Sequence, residues 1–88
     1  MKNVYRIQDS EVHYISSESE NHAIYDLCKS VYGYDDVFRY KYENEPEITV
    51  LDPDYNISYY DEVSEKDVTH TCKELAISIS GVICSTIW

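Results

Sequence analysis

The chain is short of the residues that usually build small-molecule and polyanion sites. It has only two glycines and two prolines in 88 residues. That is too little glycine for a phosphate-cradling loop, whose backbone must approach its ligand closely. Seven Lys and Arg stand against seventeen Asp and Glu, a formal net charge of −10. This balance argues against direct contact with DNA, RNA or an anionic membrane and for a basic partner. The three cysteines, Cys28, Cys72 and Cys84, are odd in number and far apart. They are not a disulfide framework, and they read as reduced, small hydrophobes in a cytosolic protein. No apolar run approaches the ~20 residues that span a bilayer. The start, Met1-Lys2-Asn3-Val4-Tyr5-Arg6, runs directly into a strand pattern without the apolar stretch of a signal peptide.

What is present is apolar and aromatic residue in quantity. The apolar fraction is 43% and ten residues are tyrosine, too much for a disordered acidic tail. The length allows one domain, residues 1–88, which buries roughly 60–65% of its unfolded surface.

The acidity is concentrated. Residues 43–67 hold nine acids (Glu43, Glu45, Glu47, Asp52, Asp54, Asp61, Glu62, Glu65 and Asp67) and one base, Lys66. Residues 1–42 carry seven acids and five bases, and residues 68–88 carry only Lys73 and Glu74.

Periodicity gives the elements. Val4 to Ile7 and Val12 to Ile15 are short β-prone runs around a polar turn, either a hairpin or one bent strand. Ser17-Glu18-Ser19-Glu20 fits a capping box with Ser17 as the cap. Ala23, Ile24, Leu27, Cys28 and Val31 then make one apolar stripe at helical period, and Gly33 is placed to end it. The first helix is expected at about 18–32. In residues 34–44, Phe38, Tyr40 and Tyr42 alternate with Val37, Arg39 and Lys41, which favours a strand over a continuation of the helix. Ile48 to Leu51 and Ile57 to Tyr60, joined by the turn Asp52-Pro53-Asp54-Tyr55-Asn56, read as a hairpin. Ser64-Glu65-Lys66-Asp67 opens a second helix, expected at about 65–80 and ended by Gly81, and Val82 to Trp88 is a closing strand. The expected fold is α+β: a two-layer sandwich of a mostly antiparallel sheet, four to five strands, with two helices.

No motif carries catalytic chemistry. Asp52, Asp54 and Asn56 occupy the first three ligand places of a calcium loop, but Ile57 stands where glycine is required and Val63 where the bidentate glutamate belongs. His13, His22, His70 and the cysteines show no zinc spacing. His13 and His22 read as structural or surface residues, and no serine or thiol stands beside an activating group. No metal, no cofactor and no enzyme activity are expected.

The surface remains. Tyrosine covers much interface area at little entropic cost, and carboxylates among tyrosines suit a partner rich in arginine and lysine. In an extended strand Glu43, Glu45 and Glu47 would project to one side about 6.6 Å apart, at ~3.3 Å per residue. Nucleic-acid phosphates repeat on a similar scale, so such a strand could occupy a groove built for them. An edge strand charged against aggregation explains the same residues. The candidate partner-binding set is Glu43, Glu45, Glu47, Asp52, Asp54, Tyr55, Tyr59, Tyr60, Asp61 and Glu62. The alternatives are a small-ligand or signal-nucleotide site in a cleft lined by tyrosine and histidine, and an acidic accessory or assembly protein.

Two stretches carry a resemblance. Tyr14-Ile15-Ser16-Ser17-Glu18-Ser19-Glu20-Asn21-His22-Ala23 resembles the opening of many small phage- and prophage-encoded proteins, and Gly81-Val82-Ile83-Cys84-Ser85-Thr86-Ile87-Trp88 resembles a recurrent ending in them. In size, acidity and lack of catalytic motif the whole chain is similar to the anti-CRISPR and related anti-defence proteins of mobile elements. The resemblance implies a non-enzymatic inhibitor acting in the cytoplasm of a bacterial host cell. It would present carboxylates to the nucleic-acid-binding surface of a defence effector such as a CRISPR nuclease. That group shares no common sequence, so no residue role transfers by motif.

Overall fold

The computed structural model describes residues 2–33, 36–61 and 63–87, and the side chains of all of these except 86 and 87. The fold is α+β, with a four-stranded antiparallel sheet, a two-stranded sheet and three helices. Strands β1 (Asn3–Gln8) and β2 (Glu11–Ser17) form the opening hairpin, with Ile7 opposite His13. β3 (Glu47–Val50) adds to the free side of β1, and β6 (Gly81–Ile87) to the free side of β2, giving the order β3-β1-β2-β6. The register of β6 shifts between Tyr14 and Ile15, where a bulge absorbs one residue. The second sheet pairs β4 (Asn56–Asp61) with β5 (Lys66–Thr71).

Strand alternation sends successive side chains of β1 to opposite faces. Tyr5 and Ile7, with Ile15, pack under Ala23, Ile24, Leu27, Cys28 and Tyr40. Val4 packs on the other face with Ile57, Cys72 and Leu75. The large sheet is therefore covered on both sides: by helices α1 (Glu20–Leu27) and α2 (Val37–Asn44) on one, and by α3 (Cys72–Ser78) with the β4–β5 hairpin on the other. The expected two layers become three, because β1 carries buried apolar side chains on both faces, Val4 on one and Tyr5 and Ile7 on the other, and each face needs a cover.

The first helix forms close to its expected place. Its cap is Ser19, which accepts from the His22 backbone N–H, rather than Ser17, whose hydroxyl meets the His22 ring. After Leu27 the helix widens into a π-helical turn, Cys28–Tyr32, and Gly33 ends it at φ +70°. In that left-handed region a side chain is strained and glycine is not.

Three expectations fail. The first is the strand in residues 34–44. Residues 34 and 35 lie outside the described part, and Val37–Asn44 is helix α2, with Asp36 accepting from the Phe38 N–H. Of the three alternating aromatics only Tyr40 is buried, at 0% exposure, while Phe38 and Tyr42 are 82% and 86% exposed. On a helix, Phe38 and Tyr42 lie ~40° apart and Tyr40 ~160–200° from them, so one ring enters the core and two leave it. With β3 already on β1 and β6 on β2, neither central strand has a free edge for this segment.

The second is the hairpin of residues 48–51 with 57–60. The turn exists, with the Tyr55 N–H donating to the Asp52 carbonyl at 3.0 Å. It joins two sheets rather than two paired strands, since β3 pairs with β1 and β4 with β5.

The third is the helix at 65–80. Lys66–Thr71 is strand β5, and the helix begins only at Cys72. Thr71-Cys72-Lys73-Glu74 holds the real capping box: the Glu74 N–H donates to Thr71 Oγ1 at 3.2 Å and the Thr71 N–H to Glu74 Oε1 at 3.0 Å. Ser64 instead donates to Asp61 Oδ2 in the β4–β5 turn, where Glu65 sits at φ +55°. Gly81, at φ +95°, opens β6 rather than ending the helix, which stops at Ser78.

The placement of the cap is measurable. Thr71→Ala is expected to cost about 1 kcal/mol, lowering the melting temperature by roughly 4–8 °C in a domain of this size. Ser64→Ala, which the superseded helix would have made equally costly, should stay within about 0.5 kcal/mol. Thermal denaturation followed by circular dichroism separates the two.

Candidate functional site

The acidic segment does not form one strand. Glu43 lies in the last turn of α2, where the Arg39 Nε donates to its Oε1 at 3.1 Å. Glu45 caps that helix in the left-handed region at φ +45°, and Glu47 begins β3. The ladder of three carboxylates at phosphate-like spacing is absent, because a helix end and Pro46 intervene. Asp52 and Asp54 are exposed in the inter-sheet turn, where the Asp54 N–H donates to Asp52 Oδ1 at 2.9 Å. Asp61 is half-buried and occupied by its own turn, accepting from the Val63 N–H and the Ser64 hydroxyl. Glu62 lies outside the described residues.

The tyrosines divide as well. Tyr55 and Tyr60 are 49% and 59% exposed. Tyr59 is half-buried against the second core, its ring 6.3 Å from that of His70. Burial first, then the Asp61 charge, raises its phenol pKa. Alternation along β4 explains the split, with Ile57 and Tyr59 facing inward and Tyr60 outward.

Among the described residues, the most exposed aromatics are ones that the pattern of residues 34–44 had hidden. Phe38 and Tyr42, one turn apart, form the outward crest of α2 directly opposite Tyr40. Arg39 and Lys41 flank them, with Glu43 and Glu45 at the helix end. A helical reading of the same residues, with Asp36 as cap, is the signal that would have found them.

Beneath α2 lies a buried polar cluster that periodicity could not show, because four separate elements build it. Asp9, in the β1–β2 turn, has a side chain 1% exposed. It accepts from the Tyr40 hydroxyl at 2.6 Å, from the Tyr32 hydroxyl at 2.9 and 3.1 Å, and from the Glu11 N–H at 2.8 Å. His13, fully buried on β2, places Nε2 2.8 Å from the Tyr32 oxygen and Nδ1 2.6 Å from the Ser85 oxygen. Since the Tyr32 proton points to Asp9, the network assigns a proton to His13 Nε2, which donates to Tyr32. Burial raises the Asp9 pKa, but the hydrogen bonds from Tyr40, Glu11 and Tyr32 and the nearby His13 ring outweigh it and hold the carboxyl below its ordinary value. Burial and the Asp9 carboxylate push the Tyr40 phenol far upward, so it stays a donor.

A hydroxyl, an imidazole and a carboxylate in sequence can activate a nucleophile. Catalysis also needs a cavity over the hydroxyl, and two cavities lined by described residues lie elsewhere. One, about 640 Å³, lies between α3, the start of β1 and the 51–54 turn. The other, about 160 Å³, is lined by Tyr59, His70, Glu74, Leu75, Ser78 and Ile79. The latter resembles the expected tyrosine–histidine cleft but is smaller than the ~300–1,000 Å³ typical of ligand sites. The cluster's hydrogen bonds fix α2 and β6 to the hairpin.

Among the described residues no group of three or more His, Cys, Asp or Glu side chains could hold a metal ion, and no helix is long and apolar enough to cross a membrane. Comparison with protein-family models, with curated proteins and with solved structures gives no match to this chain.

The cluster has a pH signature. Asp9→Asn leaves the Tyr32 and Tyr40 hydroxyls facing an amide and is expected to destabilise the protein by about 2–3 kcal/mol at neutral pH. Because the folded-state pKa lies below the reference value of 3.8, the carboxylate's contribution is fully present above that value. It is lost as pH falls through the depressed folded-state pKa. Urea denaturation from pH 7 to pH 2 should show the difference between wild type and variant shrinking only at the acid end.

Proposed function

We propose that this protein is a non-enzymatic inhibitor, of phage or other mobile-element origin, that binds a basic bacterial defence effector, most plainly a CRISPR nuclease or complex, and blocks its nucleic-acid-binding surface. The observation that carries the reading is the crest of α2. Two aromatic rings stand 82% and 86% exposed on a chain of net charge −10. Exposed aromatic anchors on a rigid helix are a protein-docking feature, and the charge selects a basic partner and steers its approach.

The contact surface is accordingly shifted from the one expected. Phe38 and Tyr42 become its anchors, with Glu43, Glu45 and Glu47 beside them. Asp52, Asp54, Tyr55 and Tyr60 remain exposed carboxylates and rings on the connection to β4 and on β4 itself. Tyr59 and Asp61 serve core and turn. Inhibition follows from net charge and aromatic anchoring rather than from a strand that copies phosphate spacing.

The test uses the immobilised protein, a bacterial lysate containing such effectors, and mass spectrometry. A basic nucleic-acid-binding protein is expected to be captured, and to be released by raised salt and by competing nucleic acid. The Phe38→Ser/Tyr42→Ser variant and the Glu45→Lys/Glu47→Lys/Asp54→Lys variant should each retain less than a tenth of it. Capture that is indifferent to both variants, or to nucleic acid, contradicts the proposal.

A further inference from the structure

The larger cavity shares only Asp54 with the contact surface proposed above. Val4 and Cys72, 1% and 2% exposed, close its base from below, and the apolar surface of its floor is that of the half-buried Leu51 and Ala76. Its walls are pinned by backbone hydrogen bonds. The Leu51 N–H donates to the Val4 carbonyl at 2.9 Å, the Lys73 N–H to the Pro53 carbonyl at 2.9 Å, and the Cys72 N–H to the Tyr55 carbonyl at 2.8 Å. The start of β1, the inter-sheet turn and α3 are thus held together without help from a ligand. A preformed apolar space of about 640 Å³ falls within the range that small-molecule sites occupy.

The mouth gives the ligand class. Ile77 stands at its rim 77% exposed, an aliphatic side chain left in water beside an apolar space. Lys2 and Lys73, two of only seven bases in the chain, line the same mouth, as do the acids Glu18 and Asp54. A purely anionic ligand would meet two carboxylates there, and a purely cationic one two ammonium groups. A molecule with both charges and an apolar body meets partners for each.

We infer that this groove binds a small zwitterion with apolar side chains, of the class of an apolar dipeptide. Its carboxylate faces Lys2 and Lys73, its ammonium faces Glu18 and Asp54, and its side chains lie on Leu51, Ala76 and Ile77. Burying the apolar body supplies most of the affinity, and the four charges set selectivity. The site is independent of the α2 crest, so either can fail without the other.

The experiment titrates the full chain with three probes: the dipeptide Leu-Phe with free ends, N-acetyl-Leu-Phe-amide, and decanoate. Calorimetry gives affinity, and amide chemical shifts at Ala76 and Ile77 give location. The free dipeptide should bind at least tenfold more tightly than either other probe and should shift the Ala76 and Ile77 amides. Lys73→Gln should weaken it about tenfold and leave the acetylated amide unaffected. Ala76→Trp, which fills the groove, and Ile77→Asn, which removes the rim without touching the floor, should each abolish it. Equal or tighter binding of the uncharged amide or of decanoate overturns the ligand class. Absence of binding by all three, or shifts confined to residues away from α3, overturns the site.

Discussion

One buried carboxylate organises the half of the molecule that carries the exposed crest of α2. Asp9 is sealed beneath α2 and the π-helical turn, in a chain already carrying a net charge of −10. An ion so placed is tolerated only when its lone pairs are satisfied. Here two tyrosine hydroxyls and a backbone N–H satisfy them. Each donor fixes an element: Tyr40 fixes the rotation of α2, Tyr32 fixes the end of the π-helical turn, and Glu11 fixes the hairpin turn. His13 carries the chain of hydrogen bonds on to Ser85 in β6. Removing a member strands the others, which is why such a network specifies one arrangement.

The exposed crest is a consequence. Helix geometry sets Phe38 and Tyr42 opposite Tyr40, so whatever holds the Tyr40 hydroxyl inward holds the other two rings outward. Asp9 thus sets the orientation of an exposed surface it never touches, as a positioning residue. The exposed carboxylates are set differently. They sit on a helix end, an inter-sheet turn and strand starts, where acids meet no packing demand and contribute mainly a field.

The other face of the sheet is simpler. Val4, Ile57, Cys72 and Leu75 close a small second core. The inter-sheet turn reaches α3 through two backbone hydrogen bonds, from Lys73 to Pro53 and from Cys72 to Tyr55. Those bonds leave a groove because backbone pairing sets the spacing of the walls, while short residues such as Ala76 line part of the space between them. The two faces thus divide the work: polar satisfaction orients a surface on one, and backbone pairing holds a cavity on the other.

Residue order alone was enough for the α+β class, the two opening β-prone runs, the first helix with its glycine stop, the turn at Asp52–Asn56 and the closing strand. Each depends on interactions within a few residues or on a repeat along one segment. Tertiary structure decided the rest, because the deciding partners are distant. Residues 37–44 alternate as a strand would, yet both central strands were already paired and Asp9 required the Tyr40 hydroxyl, so a helix formed. Ser64 and Thr71 offer similar caps, and pairing of Lys66–Thr71 with β4 selected Thr71. The Asp9–His13 cluster joins residues from the hairpin turn to the last strand, and no period within one segment could reveal it. Local propensity names the elements that a stretch can form, while the competition for sheet edges and for buried hydrogen bonds chooses among them.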